Sequence, residues 1–368
     1  MTNNNTFENG TSRPDLLCSS TSPDTDLTKA WKTISYCVII LASLFGNTLV
    51  ILVVYKKRRM RTTTNFIIVN MAVSDMFFAV FTTPPSIRTI YVGDYLLVRG
   101  ITADLICKLV TFIQQVSLAV SILSLTAIAF DRFFAILFPF RKIINRRTTK
   151  VLVALTWLIG AMFTAPVLYA NRTVVEDGSG KLTCKEVWEP LFNSSKARSD
   201  YTFVQFGFLY AGPLTVIAVL YTAIVIELWR GNSVKFRAKA NYQEVEKSNK
   251  KVLKMLVTVI VVFALFWLPI YIFQFLVYTG NERCSVRGVI QFIGYFLCQA
   301  TSAVNPFIYA IYSENYRSGF RAVLHNLIYC QGRKLFHRES SRGESLSGRR
   351  EKKEIGRASC RERVCQYV

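Results

Sequence analysis

The 368-residue chain is poor in charge and in histidine. Charged residues make up 18% of it, against about 25% in an average soluble protein, whereas hydrophobic residues make up 51%. Its two histidines, His325 and His337, both lie near the C-terminus. Their positions argue against a histidine-ligated metal site and against Ser-His or Cys-His catalysis within the apolar body. Length and composition also exclude a disordered chain and a small disulfide-held domain.

Long hydrophobic runs, in contrast, recur along the chain. Seven segments provide the roughly 20 mostly apolar residues that a membrane-crossing helix needs, and none alternates with the period of a strand. The sequence therefore predicts an all-α membrane protein, a bundle of seven transmembrane helices. The predicted spans are residues 31–55, 65–90, 106–137, 151–170, 201–228, 252–278 and 289–312.

The formal net charge of +22 is distributed unevenly between the loops. The side of the membrane that holds Asp131, Arg132 and the segments after the first, third, fifth and seventh spans carries 32 of the 45 basic residues and 10 of the 23 acidic ones. Positively charged loops stay in the cytoplasm, so we expect the N-terminus outside and the tail inside the plasma membrane. Nucleic acid is the other common partner of a basic protein, but here membrane spans separate the basic loops.

Sequons and composition divide the chain further. We expect an extracellular glycosylated N-terminus (1–30), a transmembrane core (31–312), an amphipathic membrane-surface helix (313–328) and a disordered cytoplasmic tail (329–368). Residues from about 354 to 368 resemble a translated sequencing adapter.

No cleavable signal peptide precedes the first span, which we expect to be an uncleaved signal anchor. The predicted glycosylation sites, all on the outer side, are Asn4, Asn9, Asn171 and Asn193.

Four of the nine cysteines fall on the outer side, where disulfides persist: Cys18, Cys107, Cys184 and Cys284. Cys107 begins the third span and Cys184 lies between the fourth and fifth. A bridge between these two would pin the loop over the mouth of the bundle. Connectivity among four cysteines stays open from sequence alone, including a pairing of Cys18 with Cys284.

One carboxylate, Asp75, lies in the middle of the second span. A charge at the bilayer centre costs roughly 3 kcal/mol on insertion scales, so it needs partners inside the bundle. Asn47, Ser121 and Asn305 lie at similar depth in other spans. Such a cluster suits a monovalent cation or a proton, and a structural polar contact between helices is the alternative interpretation.

Amides and aromatic rings recur in the outer halves of the third, sixth and seventh spans. They predict a ligand cavity that is open to the outside and has no buried charge, although hydrogen bonds between helices would also explain them. The predicted lining consists of Gln114, Gln115, Trp267, Tyr271, Gln274, Gln291, Tyr295 and Gln299.

Short signatures occur in order in every span. With this order and spacing the chain resembles the rhodopsin-like (class A) G protein-coupled receptors. The resemblance implies a receptor, not an enzyme, that binds an extracellular ligand and activates heterotrimeric G proteins by outward movement of the sixth helix. The signatures are Gly46 and Asn47, Asn70 and Asp75, Asp131 and Arg132, Trp157, Pro213 and Tyr221, Trp267 and Pro269, and Asn305, Pro306 and Tyr309.

The resemblance also implies roles at matched positions. Asp75, Ser121 and Asn305 would form an allosteric sodium site, with no other cofactor. An activation switch would connect the ligand cavity to the inner end of the bundle. Its members would be Ile122, Pro213, Phe263, Trp267, Pro269, Tyr221 and Tyr309.

At the inner end, Asp131 and Arg132 on their own fit a snorkelling arginine with its counter-charge. The resemblance implies instead that Asp131, Arg132 and Phe140 couple to the G protein. Cys330, just after the surface helix, would be palmitoylated. The serine-containing tail would be the partner of a receptor kinase and arrestin.

The ligand class is indicated by two departures from other receptors of this kind. Gln114 replaces the aspartate of amine receptors, and Gln299 replaces the retinal-linking lysine of visual pigments. Gln114 resembles the neuropeptide Y, orexin and RFamide groups, so we expect a peptide ligand. A rim of Glu186, Trp188 and Glu189 would meet a basic peptide residue or simply be a solvated loop.

Two alternatives remain for the function. A small hormone or a lipid could replace the peptide as ligand of the same kind of receptor. An ion-coupled transporter with Asp75 as its ion site is more remote, because no inverted repeat or pair of broken helices is evident.

Overall fold

The computed structural model describes residues 24–93, 96, 98–138, 143–175, 180–230, 240–279 and 284–326. Within these ranges the chain is helical apart from one two-stranded hairpin. The elements are α1 (Asp26–Lys56), α2 (Thr63–Val92), α3 (Ile101–Leu137), α4 (Arg146–Thr164), α5 (Pro166–Ala170), β1 (Asn171–Val175), β2 (Leu182–Glu186), α6 (Ser194–Phe206), α7 (Gly212–Arg230), α8 (Ala240–Thr279), α9 (Cys284–Tyr312) and α10 (314–326).

These helices form the predicted bundle of seven. Six segments of the described chain are long and apolar enough to cross a membrane. In two of them consecutive helices make one span, α4 with α5 and α6 with α7, the latter pair through a π-helical turn at Gly207–Ala211. Helix α9 provides the seventh span and packs against α1, α2 and α8. The seven-helix fold expected from the sequence is therefore confirmed.

The helices extend beyond the apolar spans because polar side chains cap their ends. The Thr25 hydroxyl accepts a hydrogen bond from the Thr28 amide (3.3 Å) where α1 begins. The Asn145 side chain accepts from the amides of Arg147 (2.9 Å) and Thr148 (3.1 Å) where α4 begins. Hydropathy detects only the lipid-embedded part of a helix, whereas these caps satisfy the free amides in its first turn.

A single amide joins three helices in the core. Asn70 of α2 donates to Ser124 of α3 (2.9 Å) and to Thr156 of α4 (3.1 Å). Its carbonyl oxygen accepts from the indole of Trp157 (2.8 Å). Hydrocarbon cannot replace these partners, so this hydrogen-bonded group fixes how α2, α3 and α4 face one another.

Glycine allows α1 to approach the proline of α9 closely. A Cβ atom at Gly46 would lie 2.8 Å from the Cγ atom of Pro306, so any larger residue would push the two helices apart. The contact places the inner half of α9 directly against α1, beside the polar residues of the bundle.

The inner end of the bundle continues into α10, which presents two different faces. Tyr316 and Val323 are buried, whereas Arg317 and Arg321 are exposed. The Tyr316 hydroxyl donates to the side-chain oxygen of Asn65 in α2 (3.1 Å). The aromatic side of α10 is thus attached to the bundle, and its basic side remains outside it.

Candidate functional site

A cavity of about 560 Å³ opens between the outer ends of α1, α2, α3, α6, α8 and α9. The structure brings together all eight side chains that the sequence predicts as its lining. They are Gln114 and Gln115 of α3, Trp267, Tyr271 and Gln274 of α8, and Gln291, Tyr295 and Gln299 of α9. The cavity therefore offers amide donors and acceptors between aromatic walls.

Three charged residues also line this cavity, and none of their side chains is fully buried. They are Asp24, Lys32 and Arg88. The Lys32 ammonium lies 2.6 Å from the Asp24 carboxylate and 5.1 Å from the ring centre of Phe292. All three lie near helix ends, where hydropathy cannot indicate whether a charged side chain points into the bundle or towards water.

The lining amides differ in how fully they are bonded. Gln299 is only 1% exposed. Its oxygen accepts from the Thr83 hydroxyl (3.2 Å), and its nitrogen donates to the Ser86 hydroxyl (2.7 Å), which joins α9 to α2. Gln291 is exposed at the cavity wall. The sequence allowed two roles for the glutamines, lining a cavity and bonding one helix to another. Gln299 has both roles.

The loop over the cavity is held by a disulfide. Cys107 of α3 is bonded to Cys184 of β2. Strands β1 and β2 pair antiparallel with Thr173 opposite Cys184, and Cys184 itself borders the cavity. The hairpin is therefore fixed at the cavity mouth by one of the pairings that the sequence left open. The Cys18 position and the Cys284 side chain lie outside the described part of the structure.

The three predicted rim residues bond within the loop and are not among the described residues that line the cavity. The buried Trp188 indole donates to the Glu186 carboxylate (2.7 Å), and Arg198 donates to the Glu186 backbone carbonyl (2.6 Å). The Glu189 carboxylate accepts from the hydroxyl and the amide of Ser194. These two hydrogen bonds hold the pKa of Glu189 below its ordinary value.

Asp75 forms the centre of a second, deeper site. It is 4% exposed. Ser121 of α3 donates to one of its carboxylate oxygens (2.8 Å), and Asn305 of α9 donates to the other (2.8 Å). A cavity of about 20 Å³ lies beside them, which is room for about one water-sized species. The three predicted sodium-site residues therefore meet beside a small space that is otherwise lined mostly by apolar side chains.

Asn47, the fourth residue expected near this carboxylate, has other partners. Its amide nitrogen donates to the backbone carbonyls of Ser43 (2.9 Å) and Ser302 (2.9 Å). Asn47 therefore joins α1 to α9. The side-chain hydrogen bonds to Asp75 come from Ser121 and Asn305. Depth along a helix, which the sequence provides, does not determine the direction in which a side chain points.

Trp267 lies between the two cavities and borders both. Its ring centre is 5.9 Å from that of Phe263, which is buried in α8 one turn further in. Two residues further out, Pro269 lacks a backbone amide hydrogen. The carbonyls of Ala264 and Phe266, before that proline, accept hydrogen bonds from Tyr210 (2.7 Å) and Cys298 (3.8 Å). Neighbouring helices thus stabilise α8 where it is weakest.

The other predicted switch residues lie along the same path. Ile122 is buried on α3, and Pro213 is half-buried at the start of α7. Tyr221 and Tyr309 are buried nearer the inner end, and neither hydroxyl has a hydrogen-bond partner in the described structure. The structure therefore does not join the two tyrosines to Arg132 by hydrogen bonds.

Arg132 is instead bonded at the junction of α2 and α3. Its guanidinium donates to the Asp131 carboxylate (2.6 Å) and to the Thr64 hydroxyl. Asp131 also accepts from Thr63 (3.1 Å) and Thr64 (2.6 Å). These threonines were not predicted from sequence, although the run of hydroxyls from residue 62 to 64 at the start of α2 was the available signal.

The remaining predicted positions are only partly described. Phe140, Cys330, Asn4 and Asn9 lie outside the described residues. Asn193 is exposed, and its side chain caps α6 by accepting from the Lys196 amide (3.1 Å). Asn171 is 8% exposed at the start of β1. Its predicted glycan would therefore have to be attached before the hairpin packs.

Comparisons with known proteins agree with this geometry. The family model of the 7 transmembrane receptor (rhodopsin family) matches residues 46–309. Substance-K receptor of Mus musculus is 32% identical over 295 residues, 79% of this chain and 74% of that protein. Neuropeptide FF receptor 2 of Rattus norvegicus is 30% identical over 304 residues (78% and 70%). QRFP-like peptide receptor of Branchiostoma floridae is 29% identical over 318 residues (81% and 79%).

The bonds of Gln299 generate a stability prediction. Gln299→Leu keeps the side-chain volume but leaves the buried Thr83 hydroxyl without its acceptor, which costs about 1–3 kcal/mol. We expect the apparent melting temperature of the purified protein in detergent to fall by about 2–6 °C. Gln291→Leu, at an exposed position of the same helix, is the control and should have no effect. Equal melting temperatures for the two variants would contradict this role of Gln299.

Proposed function

Since this chain belongs to the rhodopsin family of seven-transmembrane receptors, we propose that it binds an extracellular peptide and in response activates heterotrimeric G proteins. It is a multi-pass class A receptor of the plasma membrane and not an enzyme. Its relatives include proteins named as a neuropeptide receptor and as a peptide receptor.

The outer cavity is the observation that supports a peptide ligand. At about 560 Å³ it is within the range of ligand sites in proteins. Gln114 and Gln274 each present an amide that donates and accepts, which matches the alternating donors and acceptors of a peptide backbone. The aromatic rings of Tyr271 and Trp267 supply apolar contact below them. The hairpin held by Cys184 borders the cavity.

Activation requires that the ligand bind two arrangements of the bundle with different affinity. Trp267 contacts both cavities, so a ligand that presses on it also acts on the polar group around Asp75. We propose that α8 bends at Pro269 and that its inner half moves outward. This movement would open the bundle beside Arg132, where a G protein would bind with contributions from Asp131 and Phe140.

A sodium ion is proposed at Asp75 as an allosteric cofactor. The available donors are a carboxylate, the Ser121 hydroxyl and the Asn305 carbonyl oxygen, and hard cations prefer such oxygen ligands. Within the described residues no group of three or more histidine, cysteine or acidic side chains is placed to hold a metal. A monovalent cation therefore suits this single carboxylate. Bound there, it would favour the arrangement in which Asp75 keeps its partners on α3 and α9.

Family membership also supports proposals for the chain after α10. We propose that Cys330 is palmitoylated, which would add a lipid anchor beside the exposed basic face of that helix. A receptor kinase and arrestin are proposed as partners of the serine-containing tail, through phosphates that add negative charge to it.

A peptide screen tests the ligand class. Cells that express the chain are exposed to a peptide library while calcium and cyclic AMP are recorded. We expect active peptides, and we expect Gln114→Ala to lower their potency about tenfold through the loss of one or two hydrogen bonds. Thr215→Ala is the control, because that exposed hydroxyl bonds only to its own helix. Responses no larger than those of vector-transfected cells would refute the proposal.

Sodium dependence tests the deeper site without any ligand. We expect the basal nucleotide exchange of purified G protein by receptor-containing membranes to be higher when choline replaces sodium at constant ionic strength. Asp75→Asn removes the anionic ligand and should abolish that difference. Asp104→Asn changes an acid that pairs with Lys108 at the outer end of α3 and serves as the control. A sodium effect of equal size in Asp75→Asn would eliminate this site.

The threonine at the junction of α2 and α3 generates a prediction about basal activity. Thr64→Val removes a hydroxyl that bonds to both Asp131 and Arg132, and hydrogen bonds to charged groups are worth about 1.5–3 kcal/mol. Arg132 is then freer to contact a G protein, so we expect basal nucleotide exchange to rise about tenfold, which corresponds to the lower end of that range. Thr126→Val removes a hydroxyl bonded only to its own helix and should leave the rate unchanged. The hypothesis fails if both variants behave as the wild type at equal surface expression.

A further inference from the structure

We propose that Arg88 forms a carboxylate-binding subsite in the wall of the outer cavity, where it would take an acidic group of the ligand. The inference rests on the proposed function, because it specifies the chemistry of the peptide that this receptor binds. It reverses the expectation from sequence, in which acidic residues of the loop would meet a basic peptide residue.

The charges that line the cavity leave an excess of one cation. Among the described lining residues Asp24 is the acid, and Lys32 and Arg88 are the bases. The Asp24 carboxylate is already bonded to the Lys32 ammonium at 2.6 Å. The positive charge of Arg88 is therefore not balanced within the described cavity wall, and a ligand carboxylate would balance it.

The loop carboxylates cannot neutralise this arginine without losing the bonds that they make. Glu186 accepts from the Trp188 indole and lies 3.8 Å from the Arg198 guanidinium. Glu189 is bonded to the first residue of α6, Ser194. Neither borders the cavity. These acids, expected either to meet a basic ligand or to form a solvated loop, thus bond within the loop, and the unbalanced charge among the described lining residues is positive.

Arg88 itself has unused hydrogen-bonding capacity. Its Nε atom is buried and has no hydrogen-bond partner in the described structure, and none of its donors forms an ion pair with a described residue. A buried donor without an acceptor is unfavourable. A guanidinium has five donors in a planar fork that matches the two oxygens of a carboxylate. A bound acidic group would therefore balance the charge of this half-buried side chain and accept from the guanidinium donors that face the cavity.

Position within the cavity supports a role in ligand recognition. Arg88 lies on α2 two residues after Ser86, whose hydroxyl accepts a hydrogen bond from the Gln299 amide, and all three residues line the cavity. An arginine that only snorkels to lipid headgroups would carry its guanidinium away from the bundle. Here the same side chain is part of the lining that also contains Gln114 and Gln291.

The test uses purified full-length receptor in lipid nanodiscs and a library of hexapeptides in matched pairs. One set pairs C-terminal acids with C-terminal amides, and the other pairs Asp with Asn and Glu with Gln at each position. Retained peptides are quantified by mass spectrometry. We expect the wild type to retain carboxylate-bearing members about tenfold more than their neutral partners, since hydrogen bonds to charged groups are the strong ones.

Variants assign that preference to one side chain. Arg88→Gln should bring the ratio of acidic to neutral peptides to about one, and Arg88→Lys should keep part of the preference because the charge remains. Arg99→Gln removes an exposed arginine of the described outer loop that does not line the cavity and should behave as the wild type. Melting temperatures show that each variant is folded.

The outcomes separate the two proposals. Preference within the first set would identify the acidic group as the peptide C-terminus, and preference within the second set as a side chain. Peptides retained without regard to charge, or a preference that Arg88→Gln leaves intact, would overturn the subsite while a peptide receptor stands. Retention of no peptide above empty nanodiscs would overturn the peptide proposal and the subsite with it.

Discussion

Hydrocarbon offers no hydrogen-bond partner, and this constraint determines where the polar side chains of the bundle can lie. Asn70 joins three helices, Asp75 joins α2 to α3 and α9, and Gln299 joins α9 to α2. The hydrophobic effect does not drive helices together within lipid, so close packing and hydrogen bonds between helices hold the bundle. The few directional bonds therefore help to determine which faces of the helices meet, and the cavities lie where these bonds leave space between helices.

The hydrogen bonds also distinguish lining residues that hold helices together from lining residues that are available to a ligand. Gln299 uses both ends of its amide within the protein, whereas Gln114 and Gln274 present theirs to the cavity. Trp267 separates the outer cavity from the polar group at Asp75. A ligand that binds the free amides therefore lies one aromatic ring away from the residues that hold the helices together.

Sequence predicted the fold and the cavity lining well because both follow from the membrane. Long apolar runs can only be spans, and a glutamine within a span must point inward, as Gln114 does. The errors occurred where water is near and this restriction is lost. Composition could not show that Arg88 points into the cavity or that Glu186 bonds to Trp188. The partners of Asn47 also depended on side-chain direction, which depth in the membrane does not determine.

The unshared amides of the outer cavity have a consequence for how such a receptor diverges. Substitution of Gln114 or Gln274 alters what the site recognises but breaks no described bond between helices. Substitution of Asn70 or Asp75 disturbs several helices at once. After gene duplication, one copy can thus acquire a new messenger through a few changes in its upper wall while inheriting an intact signalling scaffold.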